Sequence, residues 1–191
     1  RRARARREEL GRIRQALANK EFRLHYQPKV DMRKGHVVGA EALIRWQHPE
    51  RGLLLPDQFL PTVDGNELGI DIGDWVIGEA LRQIEAWNAT GLHQTISINI
   101  SGDHLQHKGF TRRLGELLAA HPGVSPGQIE LEVLETAALE DIATIAQLFV
   151  ECRQLGVNFA LDDFGTGYSS LTYFRRLPAD TLKIDQSFIR G

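Results

Sequence analysis

The stretch VNFALDDFGTGYSS at residues 157–170 joins an apolar run, two adjacent aspartates and a glycine-rich loop. The run from Val157 to Leu161 predicts a buried strand, and Asp162 and Asp163 follow it directly. Two neighbouring carboxylates repel one another unless a cation or a set of hydrogen-bond donors offsets their charge. The stretch therefore predicts a strand that delivers oxygen ligands to a hard divalent cation.

Other apolar runs also end in polar or ionisable side chains. These residues are Glu41, Asn99, Glu132 and Lys183. Oxygen ligands favour Mg²⁺ or Mn²⁺ over zinc or copper, which prefer histidine and cysteine. The only helix-compatible histidine pair, His104 and His107, has no third soft ligand, so we expect it at the surface or in a loop.

Strand and helix patterns alternate along the chain, which predicts an α/β fold with parallel neighbouring strands. The predicted strands are 22–30, 37–46, 95–100, 129–134, 158–161 and 181–184, and 22–30 and 37–46 are joined by a short turn. The predicted helices are 71–88, 110–120, 141–155 and 168–176, and residues 49–61 form the longest irregular segment. In a βα barrel the carboxyl ends of the strands form one rim. If the sheet closes, that rim brings together Asn99, Glu132, Asp162, Asp163 and Lys183.

Glu130 and Glu132 stand two residues apart on one predicted strand and therefore share a face. Two carboxylates that face a barrel interior need partners. For Glu130 we expect an internal ion pair. For Glu132 an ion pair and a metal ligand remain alternatives.

The composition is typical of an ordinary soluble domain, with 42% hydrophobic and 25% charged residues and a net charge of −2. No apolar run approaches the roughly 20 residues of a membrane helix, and no signal-peptide pattern opens the sequence. The single cysteine, Cys152, excludes an internal disulfide. We expect it to pack as a small hydrophobe on a helix.

Arginines crowd the first residues of the chain, where Leu10, Ile13 and Leu17 form a narrow apolar stripe at helical spacing. We expect residues 1–20 to be a linker helix from an upstream domain and residues 21–191 to be the main domain. DNA or RNA binding is disfavoured because no aromatic residues interleave with the arginines and the rest of the chain is slightly acidic.

Five motifs resemble those of the EAL domain family of bacterial cyclic di-GMP phosphodiesterases. They occur in the family's order and are EALIRW at 41–46, SINIS at 97–101, ELEVLE at 130–135, DDFGTGYSS at 162–170 and LKID at 182–185. The resemblance covers residues 21–191 and implies a TIM-type (β/α)8 barrel. About six strands fit in this chain and the last βα units are absent, so we expect this span alone to be weakly active or inactive.

The resemblance implies hydrolysis of one phosphodiester of cyclic di-GMP, giving linear pGpG, by two divalent cations, Mg²⁺ or Mn²⁺. It implies that Glu41, Asn99, Glu132 and Asp162 hold the first ion. Asp162 bridges to the second ion, which Asp163 also binds. Lys183 orients the attacking water and offsets phosphate charge.

The resemblance also implies substrate contacts from Arg45, Leu43, Gln27 and Asp185. The Arg45 guanidinium suits a phosphate, and its alternative is a rim salt bridge with a nearby carboxylate. Further implications are a homodimer, an upstream sensory or cyclase domain, a role in biofilm signalling and a cytoplasmic location, although the parent protein could be membrane-anchored.

In the family, the residue equivalent to Glu135 braces the glycine-rich loop, to which Gly165 and Gly167 give backbone freedom. Leu134 departs from the family's usual threonine and removes a hydroxyl near that loop. One alternative is a catalytically inactive EAL domain that acts as a cyclic di-GMP receptor, and another is a dimerisation module. A protein kinase is rejected, because no glycine-rich loop, strand lysine or catalytic loop precedes the tripeptide at 163–165.

Overall fold

The computed structural model describes residues 1–134, 137, 141–164 and 181–184, and for 162–164 and 181–184 it describes the backbone of a strand. The first elements are α1 (Arg2–Ala18), β1 (Phe22–Asp31), β2 (His36–His48), β3 (Gly52–Leu54), α2 (Leu60–Val63) and α3 (Glu67–Ala89). They are followed by β4 (Thr95–Ile100), α4 (Gly102–Gln106), α5 (Phe110–Ala119), β5 (Ile129–Leu134), α6 (Ile142–Gln154), β6 (Asn158–Phe164) and β7 (Thr181–Ile184).

The strands form one mixed sheet in the order β1-β2-β4-β5-β6-β7, with the short β3 paired to β2. The β1–β2 pair is an antiparallel hairpin, and every later pair along this path is parallel. Helices α3, α5 and α6 supply the crossovers between β2 and β6, as parallel neighbours require. The architecture confirms the predicted α/β fold of an incomplete barrel, since the path of described strands runs from β1 to β7 without closing.

One face of the sheet is apolar and packs against the crossover helices. Its side chains alternate along each strand, as in Ile96, Ile98 and Ile100 of β4, which are at most 4% exposed. They pack against helix residues such as Leu81 and Phe149. The opposite face therefore carries the alternate, polar residues, which include the predicted site.

A second apolar cluster ties α1 to the amino-terminal part of the sheet. Ile13 and Ala16 of α1 are fully buried and belong to one cluster with Phe22, Trp46 and Phe59. The helix predicted from the Leu10–Ile13–Leu17 stripe is thus present. Its role as a linker from an upstream domain, with a boundary near residue 20, stays a prediction.

The predicted elements differ most clearly from the structure in three places. Helix α3 begins at Glu67 rather than at residue 71, because the side chain of Asn66 accepts a hydrogen bond from the Leu68 amide and caps the helix. Strand β6 continues to Phe164, so both aspartates lie within the strand rather than after it. The segment 49–61 is not irregular throughout, since it contains β3.

The predicted helix at 168–176 lies outside the described residues. The buried thiol of Cys152 lies on α6, as expected for a small hydrophobe, and burial raises its pKa to about 12. Within the described part of the chain, the helices are too short or too polar to cross a bilayer.

Candidate active site

The strand register brings predicted site positions of five strands onto one face of the sheet. Gln27 stands opposite Glu41, and Asn99 stands opposite Glu132. Leu134, two residues after Glu132, is in register with Asp162 of β6. Because side chains two residues apart on a strand share a face, these positions line one surface at the carboxyl ends of the parallel strands.

Glu41 and Asn99 are in direct contact. The Asn99 Nδ2 donates a hydrogen bond of 3.0 Å to Glu41 Oε1, across the β2–β4 pair. Glu41 is half-buried and Asn99 is exposed on this surface. The Asn99 amide therefore orients the Glu41 carboxylate, and the oxygen atoms of both side chains lie close together on this surface.

Glu132 lies deeper, with a side chain that is 0% exposed. Its Oε1 accepts a hydrogen bond of 3.0 Å from Lys29 Nζ. The same ammonium lies 3.8 Å from Glu130 Oε1 and donates to the Ser97 hydroxyl, which itself donates to Glu130 Oε1 over 3.1 Å. The internal ion pair predicted for Glu130 is present.

Lys29 is the residue of this site that the sequence reasoning missed. The sequence feature that could have identified Lys29 is its position two residues after Gln27, which puts both residues on the same face of β1. A cation at that position is the natural partner for the two inward-facing glutamates.

The chemistry of the described donors fits a hard divalent cation. Glu41, Asn99 and Glu132 offer carboxylate and amide oxygens, which suit Mg²⁺ or Mn²⁺ rather than zinc or copper. Among the side chains that the structure describes, no three histidine, cysteine, aspartate or glutamate residues converge. A complete metal site therefore needs ligands beyond these, and β6 carries Asp162 and Asp163 beside β5.

The β6–β7 pairing is irregular where the aspartates lie. Ala160 of β6 stands opposite Thr181 of β7, and the register of this pair then shifts between Leu161 and Phe164. The backbones of Asp162, Asp163 and Lys183 are thus in adjacent strands. Their side chains lie outside the described part, as do the predicted site residues Glu135, Gly165, Gly167 and Asp185.

Arg45 and Leu43 follow Glu41 at two-residue intervals on β2 and share its face. Arg45 is half-buried and its Nη1 donates to the Ile44 carbonyl over 2.9 Å. None of the described ion pairs involves Arg45, so the alternative of a rim salt bridge has no support in this part of the chain. Leu43 and Asn99 both line a cavity of about 580 Å³ between the sheet and the α2–α3 segment.

The expectation that His104 lies at the surface is wrong. His104 is 3% exposed, and its Nε2 lies 2.9 Å from Asp74 Oδ1 on α3. Burial lowers the pKa of His104, while Asp74 acts in the opposite direction. The ring also packs edge-on against Phe110 of α5, with 5.0 Å between centroids. Helix α4, which follows the Asn99 strand, is thereby anchored to its neighbours.

The EAL domain family model matches residues 10–191. The chain belongs to the EAL domain family. The match includes the second half of α1 and every motif on which the resemblance was based.

Two relatives of this EAL domain come from Pseudomonas aeruginosa. The bifunctional diguanylate cyclase/cyclic di-GMP phosphodiesterase MucR is 42% identical over 93% of this chain. The cyclic di-GMP phosphodiesterase PA2567 is 37% identical over 92% of it. This chain spans only 26% and 30% of the length of these two relatives.

The fold agrees with that of a solved EAL protein. The structure of the PaMucR phosphodiesterase in complex with c-di-GMP superimposes with a TM-score of 0.89 at 41% identity. The match covers 96% of this chain and 74% of that one. The barrel-type fold predicted from the motifs is confirmed.

Proposed function

We propose that this EAL domain is a phosphodiesterase that hydrolyses cyclic di-GMP to linear pGpG with two divalent cations, Mg²⁺ or Mn²⁺. The observation that carries the proposal is the hydrogen-bonded pair of Glu41 and Asn99, of which Asn99 is in register with the buried Glu132. Oxygen donors from three strands are thereby gathered at the carboxyl end of a barrel-type sheet, where such folds build active sites. The named activities of MucR and PA2567 support the same reaction.

Each metal-binding residue has a distinct role in this proposal. Glu41, Asn99, Glu132 and Asp162 hold the first cation, and Asp162 and Asp163 hold the second. When bound, the pair of cations activates a water molecule and offsets charge on the attacking and leaving oxygens. The hydrogen bond from Asn99 Nδ2 keeps Glu41 Oε1 in one orientation, so this ligand is arranged before the substrate arrives.

Lys183 orients the attacking water in this proposal and offsets charge that develops on the phosphate. Its support is the position of β7 next to β6, which carries both aspartates. The loop residues Glu135, Gly165 and Gly167 keep their predicted role in supporting that region.

Substrate recognition falls to the β1–β2 hairpin and to Asp185. Arg45 binds a phosphate through its planar guanidinium, which suits a bidentate contact. Leu43 contributes an apolar surface to the cavity lining, against which a base can pack. Gln27 is exposed opposite Glu41 and can offer both donors and an acceptor to the nucleotide. The predicted homodimer, upstream domain and cytoplasmic location remain predictions.

The test is hydrolysis of cyclic di-GMP by the full-length protein with Mg²⁺ or Mn²⁺, with pGpG as the measured product. Glu41→Gln should lower kcat/KM by about 100-fold or more, because a metal ligand contributes several kcal/mol of charge stabilisation. Glu50→Gln, the same change at an exposed turn residue, should leave kcat/KM unchanged.

Two results would overturn the proposal. Tight binding of cyclic di-GMP without pGpG would leave a receptor that uses the same pocket. Absence of both binding and hydrolysis would favour a dimerisation module in which the ligands have no catalytic use.

A further inference from the structure

The side chain of Lys29 crosses the concave face of the sheet from β1 to β5. It contacts Ser97 on β4 and both Glu130 and Glu132 on β5. In the sheet order, β2 and β4 separate these two strands, which is about 14 Å along a flat sheet. A lysine side chain is too short for that span, so the contact exists because the sheet curves towards a barrel.

A glycine, Gly39, lies beside Lys29 on the neighbouring strand. It stands opposite Lys29 in the antiparallel β1–β2 register, on the same face. A Cβ built on Gly39 would lie 2.6 Å from the Thr95 carbonyl oxygen, so a side chain at this position would collide with the backbone of β4. The next position on this face of β2 is Glu41, which accepts the hydrogen bond from Asn99.

Among the side chains that the structure describes, Lys29 is a single cation in contact with two carboxylates. The Glu132 side chain is 0% exposed and that of Glu130 is 16% exposed, while Lys29 is 30% exposed. Buried carboxylates are costly unless a cation and hydrogen bonds compensate them. Lys29 supplies Glu132 with both a cation and a hydrogen bond, because its ammonium donates to Glu132 Oε1.

We propose that Lys29 is a positioning residue, which fixes the orientation of the Glu132 carboxylate for metal binding. The inference rests on the proposed function, in which Glu132 is a ligand. A hydrogen bond to Oε1 restricts rotation of the carboxylate, so that its metal-binding lone pairs keep one direction. Loss of such an outer partner typically weakens metal binding by about 10–100-fold.

The experiment measures the Mn²⁺ dissociation constant of the metal-stripped full-length protein by electron paramagnetic resonance. Lys29→Met, which keeps an unbranched apolar stem but no donor, should weaken Mn²⁺ binding by about 10–100-fold. Lys29→Arg keeps a charged donor, so its Mn²⁺ dissociation constant should lie within several-fold of that of the unsubstituted protein. Lys34→Met, the same change at an exposed turn residue, should have no effect.

A fourth variant separates this inference from the proposed function. If Glu132→Ala leaves Mn²⁺ affinity unchanged, Glu132 is not a ligand and the proposed metal site fails. If Glu132→Ala weakens binding but Lys29→Met does not, only the role of Lys29 is overturned. Tighter Mn²⁺ binding in Lys29→Met would also overturn the role of Lys29. It would mean that repulsion between the ammonium and the metal outweighs the benefit of orienting Glu132.

Folding is checked by thermal unfolding of every variant. If Lys29→Met does not fold, Lys29→Gln takes its place under the same criteria, since it is neutral and more easily accommodated next to Ser97. The return of affinity in Lys29→Arg distinguishes orientation of the ligand from a general effect on stability.

Discussion

At the residue scale, Glu21 joins the amino-terminal helix to the strand that carries the EAL motif. Its carboxylate accepts hydrogen bonds of 3.1 and 2.7 Å from the Arg12 guanidinium and one of 3.2 Å from Trp46 Nε1. The guanidinium also lies over the Trp46 ring, 5.3 Å from its centroid. The hydrogen bonds from Arg12 are the main reason that the pKa of Glu21 is lowered.

We predict that Glu21→Gln lowers the free energy of unfolding by about 1 kcal/mol at pH 7, because a charged hydrogen bond becomes a neutral one. The melting temperature should fall by roughly 2–4 °C in a chain of this size. A lowered pKa stabilises the fold fully above the ordinary glutamate pKa of about 4.3. This stabilisation is lost as the pH falls through the lower pKa of the folded state.

Thermal unfolding of both proteins between pH 7 and pH 3 checks this prediction, and the two melting curves should converge at the acid end. Glu8→Gln is the matched control, because Glu8 forms an ion pair with Arg4 in which both side chains are largely exposed. A Glu21→Gln deficit that persists unchanged at pH 3 would contradict the electrostatic explanation.

At the scale of elements, α3 packs closely against α4 only because residue 73 has no side chain. A Cβ built on Gly73 would lie 2.3 Å from His104 Nδ1 and 2.6 Å from its Cε1. His104 is held from the other side by Asp74 and Phe110, so the ring has little room to move. The contact fixes the short helix that directly follows the Asn99 strand.

We predict that Gly73→Ala lowers the free energy of unfolding by about 1–3 kcal/mol through overpacking. Urea unfolding measures the change. Gly78→Ala on the same helix is the control, since its new Cβ would meet only Leu117 at 3.7 Å. That variant should be neutral or about 0.5–1 kcal/mol more stable, as alanine favours helices over glycine.

The His104→Ala background identifies the clash as the cause. Without the imidazole, Gly73→Ala should no longer destabilise the protein. If Gly73→Ala and Gly78→Ala are equally stable in the protein that retains His104, the proposed contact is contradicted.

At the scale of the whole molecule, the sheet separates two kinds of surface. Its apolar face and the crossover helices form the hydrophobic core. Its concave face holds Lys29, Glu41, Glu130 and Glu132, with Asn99 at the exposed rim. Concentrated negative charge on that face is costly to folding, and a divalent cation that binds there should stabilise the fold.

We predict that Mn²⁺ at 100 times its dissociation constant stabilises the full-length protein by about 2.7 kcal/mol. That corresponds to a rise of roughly 5–10 °C in melting temperature for a domain of this size. Differential scanning calorimetry with and without MnCl₂ measures the shift. Glu41→Gln and Glu132→Ala should reduce it, and a full shift in Glu132→Ala would exclude Glu132 as a ligand.

The sequence by itself determined the order of the main strands and crossover helices, and the family. Period-two and helical spacing are local properties, so most strands were predicted to within a few residues and Ile129–Leu134 without error. The EAL motif and its four companions specified the family because each occupies a short contiguous segment. The acidic residues at strand ends were visible for the same reason.

Only the tertiary structure decided which of these residues meet and which hidden partners they have. The pairing of Lys29 with Glu132 joins residues 103 positions apart, and it depends on the curvature of the sheet. The burial of His104 depends likewise on the missing side chain at Gly73. Contacts of this kind follow from how elements pack, and no local pattern of residue types records them.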